Sequence, residues 1–210
     1  MTSDNIRIAD PSAQTFAGNS LGQTARRLFA ATRPKFFPAS VLPVLAGTAW
    51  GFHAAGQFDW LVFVLALFAT VCVHAASNVL NDVGDESGGT DRQNDDRIYP
   101  YTGGSRFIQQ GIMSAAEMAR WGTTLLALAA IAGLVLIYLK GTMVLYFGLA
   151  GVALGVLYSL GPARLASLGV GETAVAIGFG VVPVAGAAWL QGAALDMNLL
   201  LFSLPVSFWV

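Results

Sequence analysis

Long apolar runs alternate with short polar segments along most of this 210-residue chain. Crossing about 30 Å of hydrocarbon takes roughly 20 apolar residues in a helix. Five runs meet that length: Phe36–Ala55, Trp60–Leu80, Trp121–Leu139, Met143–Leu160 and Val170–Leu190. A sixth begins near Asn198 and reaches the last residues, Trp209 and Val210. The pattern predicts an all-α polytopic transmembrane helix bundle of five full spans and part of a sixth. Residues 1–32 read as an N-terminal cytoplasmic segment and 33–210 as the transmembrane domain. Within the first segment, Thr24–Ala30 is amphipathic and suits the membrane surface. Pro38, Pro43 and Pro183 are expected to bend or locally open their helices.

Composition agrees with the pattern. The chain is 55% hydrophobic and 11% charged, with a mean hydropathy of +0.63. Soluble domains carry about 25% charged residues, so much of this surface must face lipid. A net charge of −1 gives no field for nucleic acid. The single cysteine, Cys72, excludes a disulfide framework and reads as a small core hydrophobe. No cleavable signal peptide is visible in the polar first 35 residues.

Loop charges set an orientation. Arg7, Arg26, Arg27, Arg33, Lys35, Arg92, Arg97, Arg106, Arg120 and Arg164 fall on one side, and Lys140 alone on the other. By the positive-inside rule, the polar segment Asn81–Ser114 is cytoplasmic.

That segment carries the chemistry. At about 100° per residue, Asn78, Asn81, Asp82 and Asp85 share one helical face. Gly88-Gly89 ends the helix and brings Asp91 within reach. Hard oxygen ligands of this kind suit Mg²⁺ shared with substrate phosphates. A solvated acidic helix end is the plainer explanation, but acidic residues there oppose the helix dipole. Arg97, Arg106 and Arg164 lie on the same side, so carboxylates and guanidiniums together suit a metal–diphosphate. Each arginine taken singly is explained as well by topology or headgroup contact. His74 lies one turn before Asn78, as a cavity residue or a structural one. Charged groups at one helix end argue against a transporter, which would place them near the midplane.

Asn78-x-x-Asn81-Asp82-x-x-Asp85 followed by Asp91 resembles the first Asp-rich motif of the UbiA superfamily of intramembrane prenyltransferases, in the form of its 1,4-dihydroxy-2-naphthoate branch. Arg33-Pro34-Lys35-Phe36-Phe37-Pro38-Ala39, Gly104-Ser105-Arg106 with Gln110-Gly111 and Ser114, and Tyr158-Ser159 to Arg164 with Gly169-x-Gly171-Glu172 resemble three further family segments in order. The resemblance implies that Asp82, Asp85 and Asp91 bind Mg²⁺ and that Asn78 and Asn81 support the substrate. It also implies that Arg97, Arg106 and Arg164 face the diphosphate and that Tyr158 orients substrate or stabilises charge. Phe37, Phe107 and Tyr158 are candidates for cation–π stabilisation of an allylic cation, with packing the commoner role for each.

The implied partners are a polyprenyl diphosphate, an aromatic acceptor and the bilayer. The expected setting is a bacterial inner membrane, with the site loops cytoplasmic. The family has about nine helices and a second Asp-rich motif, so the chain reads as C-terminally incomplete, which keeps an inactive scaffold open as a rival. Acceptors other than dihydroxynaphthoate (4-hydroxybenzoate, homogentisate, a chlorin or a glycerol-phosphate lipid) also stay open.

Overall fold

The computed structural model describes residues 11–88, 104–159 and 171–209, with side chains apart from those of 88 and 156–159. Eight α-helices occupy these ranges: α1 Leu21–Ala31, α2 Pro38–Ala55, α3 Trp60–Gly88, α4 Ala115–Lys140, α5 Met143–Ser159, α6 Gly171–Val175, α7 Val182–Leu190 and α8 Met197–Trp209. A 3₁₀ turn, Pro34–Phe36, joins α1 to α2, and a π-helical segment, Ala176–Val181, joins α6 to α7.

Trp60–Ser87, Ala115–Lys140 and Gly171–Leu190 are long and apolar enough to cross a membrane. The chain is therefore an all-α, multi-pass integral membrane protein. Among the described residues this is a smaller set than the five full spans expected. Helix α2 has 18 residues but carries Pro43 and His53, and the apolar stretches Met143–Gly155 and Met197–Trp209 run to the limits of the described side chains and residues. Leu61, Val64, Phe68, Ile131, Leu134 and Leu149 are exposed. That belt suits lipid and would be costly in water.

One of the three prolines departs from expectation. Pro38 is the first residue of α2 and starts the helix instead of bending it, since a proline there forfeits no intrahelical hydrogen bond. Pro43 does lie inside α2, and Pro183 sits in the first turn of α7 directly after the π segment. Within that segment the ladder widens by one residue, with the Val182 N–H donating to the Ile177 carbonyl.

Small residues close the bundle. A Cβ at Gly47 would lie 2.2 Å from the Val184 carbonyl oxygen, and one at Gly51 would lie 2.5 Å from that of Ala188. Helices α2 and α7 thus meet backbone to backbone along a Gly-x-x-x-Gly face. At the end away from the acidic motif, Gln191 is 5% exposed and bonds the Asp59 backbone twice. It accepts from the Asp59 N–H at 2.8 Å and donates to the Asp59 carbonyl at 3.0 Å. Asp59 also pairs with Lys140 at 3.1 Å, so one cluster ties the start of α3 to the ends of α4 and α7. Cys72 lies in the core beside Ala75, Ala76 and Val79, as expected of a small hydrophobe.

Gly47→Ala is expected to lower unfolding stability by about 1–3 kcal/mol, because a backbone carbonyl cannot yield as a side chain can. Gly133→Ala, with open space around its Cβ, should instead gain about 0.5–1 kcal/mol. Thermal unfolding of the two variants in detergent compares them directly. The Asp59 carboxyl is held below its usual value of 3.8 by the Val62 N–H, with a smaller contribution from Lys140. Its stabilisation is therefore fully present above that value and is lost as pH falls further. Asp59→Asn should flatten the acid limb of a stability–pH curve.

Candidate functional site at the end of helix α3

Helix α3 continues through the acidic motif to Gly88, so Asn78, Asn81, Asp82 and Asp85 stand on successive turns of one helix. Asp82 is 1% exposed and is the only buried carboxylate among the described residues. Three donors satisfy it. The Arg33 guanidinium pairs with Oδ1, the Ser105 hydroxyl donates to Oδ2, and the Ser105 N–H lies 3.2 Å from Oδ2 and 3.3 Å from Oδ1. Asn78 Nδ2 donates to the Thr32 carbonyl at 3.0 Å, fixing the chain beside Arg33. Asn81 Nδ2 donates to Asp85 Oδ2 at 2.8 Å, one turn along.

Two segments far apart in sequence are thereby folded onto α3. The first arrives through Arg33, whose φ of 55° lies in the left-handed region. Pro34 disfavours the right-handed α region at the residue before it, and the turn resolves the conflict with this uncommon conformation. Arg33 Nε is buried and has no hydrogen-bond partner among the described residues. An unspent buried donor is costly and suits an anionic acceptor. The second segment follows the motif. Gly104 and Gly111 have φ values of 75° and 65°, which explains why glycine stands at both, and Arg106 shares the left-handed geometry at 57°. Ser105 also receives the Phe107 N–H on its hydroxyl, at 3.3 Å, and Gln109 reaches Glu86 at 2.9 Å. Of the two non-glycine residues in this region, Arg33 is a partner of Asp82 and Arg106 directly follows one, a clustering of backbone strain that suits a functional site.

Toward the hydrocarbon, His74 Nδ1 and Ser40 Oγ are hydrogen-bonded at 2.5 Å. Edges of Phe37 and Phe179 meet the imidazole at 5.6 and 4.7 Å between centroids. His74 is a buried group, hydrogen-bonded through Nδ1, that joins α2, α3 and the π segment. Phe107 is 3% exposed and packs on Phe16, so it is a core residue. Beside the site, burial and then the Arg33 charge hold the Lys35 ammonium below its usual range.

Asp82, Asp85, Asn78 and Asn81 are thus brought together as the sequence suggests. Arg106 follows the serine that bonds Asp82. Asp91, Arg97 and Arg164 lie outside the described residues, as does the side chain of Tyr158. Among the described residues, no group of three acidic, histidine or cysteine side chains is placed to hold a metal. Asp82 and Asp85 are hard oxygen donors one turn apart, which fits Mg²⁺ in kind, although Arg33 and Ser105 occupy Asp82. Arg33 and Ser105 are site residues that the spacing of acids alone does not find. Their signal is their place in the Arg-Pro and Gly-Ser-Arg segments.

A model of the UbiA prenyltransferase family matches residues 40–210. The chain belongs to that family. It is 30% identical over 184 residues to 1,4-dihydroxy-2-naphthoate octaprenyltransferase of Haemophilus influenzae, covering 80% of this chain and 55% of that protein. It is 35% identical over 167 residues to the Mycobacterium tuberculosis protein of the same name, covering 78% and 53%. UbiA prenyltransferase domain-containing protein 1 of Xenopus tropicalis is 29% identical over 182 residues, covering 84% and 50%. The chain spans about half the length of these curated relatives.

Breaking one side of the buried pair strands a charge, which typically costs about 3–5 kcal/mol. Arg33→Gln should show a loss of that size, and Arg33→Gln with Asp82→Asn should recover much of it. Equal losses in the single and double variants, by thermal unfolding, would contradict the ion pair.

Proposed function

We propose that this site transfers a polyprenyl group from its diphosphate to an aromatic acceptor, 1,4-dihydroxy-2-naphthoate. The observation that carries the proposal is the buried Asp82 carboxylate, enclosed by Arg33 and Ser105 at one end of α3 in a chain of this family. Four of the catalogued relatives matched here carry the dihydroxynaphthoate name, which supports that acceptor. The charge asymmetry of the loops supports a cytoplasmic site.

In this reading the diphosphate lies between the Asn78–Asp85 face and the arginines. Asp82, Asp85 and Asp91 would hold Mg²⁺, which supplies Lewis-acid stabilisation of the leaving group. Arg33 Nε offers the diphosphate an unspent N–H, and Arg106, Arg97 and Arg164 add cationic donors to the oxygens that gain charge as the C–O bond breaks. Asn78 and Asn81 fix the helix face, and Tyr158 orients substrate. The electron pair of the C–O bond leaves with the diphosphate. The ring carbon bearing the acceptor's carboxylate bonds to the allylic carbon, and the carboxylate departs as CO₂. Apolar residues below His74 keep water from the allylic cation.

The test uses membranes containing the protein, incubated with polyprenyl diphosphate and dihydroxynaphthoate, with Mg²⁺ or with chelator. Prenylated product should require Mg²⁺ and fall by about 10²-fold or more in Asp82→Ala. Product formed equally with chelator or in Asp82→Ala would overturn the mechanism. Faster turnover of 4-hydroxybenzoate would overturn the acceptor.

A further inference from the structure

Helix α1 divides into stripes. At about 100° per residue, Leu21, Ala25 and Phe29 form one stripe, and Thr24, Arg27 and Leu28 form the next. Leu21 is 91% and Phe29 59% exposed, whereas Leu28 packs against the core. Exposed apolar side chains on such a helix belong in the boundary between headgroups and acyl chains.

A cleft of about 250 Å³ opens between the second stripe and the first turns of α4. Leu28, Met113 and Trp121 give it apolar walls, and Arg27, Glu117 and Arg120 give it a charged rim. The Trp121 indole donates to the Leu28 carbonyl at 3.0 Å, which fixes the ring against α1. Glu117 Oε2 accepts the Ser114 N–H and hydroxyl, each at 2.8 Å, in the cap of α4. Neither Arg27 nor Arg120 forms an ion pair among the described residues. The rim therefore presents two guanidiniums against one carboxylate, which interacts electrostatically with both and leaves one positive charge in excess. The cleft is separate from the Asp82 site: Ser105 turns toward Asp82, while Met113 turns toward the cleft.

We propose that this cleft binds the phosphate headgroup of an anionic glycerophospholipid, with the acyl chains along the Leu21–Phe29 stripe. Guanidiniums match phosphate oxygens in bidentate geometry. A zwitterionic headgroup would bring a further cation to an already positive rim. A free phosphate would leave the apolar walls and the neighbouring stripe uncovered.

Thermal unfolding of the detergent-purified chain, titrated with dioleoylphosphatidylglycerol, dioleoylphosphatidylcholine or inorganic phosphate, tests the site. Phosphatidylglycerol should raise Tm saturably, and the other two should not. Arg27→Gln/Arg120→Gln should weaken the apparent affinity roughly thirtyfold, the effect of two basic residues at an anionic surface. The exposed single change Arg120→Gln should weaken it about fivefold, and Arg27→Lys/Arg120→Lys should keep most of it. Equal stabilisation by phosphatidylcholine, equal stabilisation by inorganic phosphate, or an undiminished response in both glutamine variants would each overturn the proposal. None of these readouts depends on prenyl transfer.

Discussion

An ionised carboxylate this close to hydrocarbon has to be neutralised where it stands, and Asp82 is neutralised by Arg33. Burial of the first without the second would cost more than most single contacts return. The pairing dictates much of the surrounding architecture. Arg33 must approach α3 from a chain that immediately turns through Pro34 into α2, which sets the left-handed backbone at that residue. Asn78 secures the same stretch through the Thr32 carbonyl, and Ser105 closes the other side. Three segments then converge on one side chain: α3 itself, the turn at Arg33 and the stretch at Ser105.

The half of the bundle nearer the lipid is organised by a different principle. There, small residues let helices touch, with Gly47 and Gly51 against the backbone of α7 and Gly180 against Ser207 of α8. The widened π segment lies between these contacts and places Phe179 against His74. The charged, hydrogen-bonded end of α3 and the close-packed contacts of α2 with α7 and of the π segment with α8 are separate parts of one bundle. That division suits chemistry in which an anion is held at one end and a reactive hydrocarbon is kept dry at the other.

Much of this was legible in the residues. Apolar run lengths are fixed by bilayer thickness, so the membrane helices α3 and α4 stand out in the sequence, and the 3.6-residue period places Asn78, Asn81, Asp82 and Asp85 together. The number of crossings was less legible. A helix such as α2, interrupted by Pro43 and His53, satisfies a run-length rule only approximately. Arg33 as the partner of Asp82 was not derivable from local pattern, because the contact joins residues 49 apart in sequence. The π segment left no periodic trace, since it changes the ladder by one residue over a single turn. The role of Pro38 was misjudged because a proline starts a helix as readily as it bends one, and only the position of the first turn decides.

The cluster of Asp59, Gln191 and Lys140 has a consequence for biogenesis. Gln191 follows Asp59 by 132 residues. At synthesis rates of about 5–20 residues per second, roughly 7–26 seconds separate the emergence of the two partners. Helices α3 and α4 pair early, and the Asp59–Lys140 contact closes with them. The Asp59 backbone groups meet Gln191 only once α7 has been inserted, so nascent intermediates stay open at that end until then.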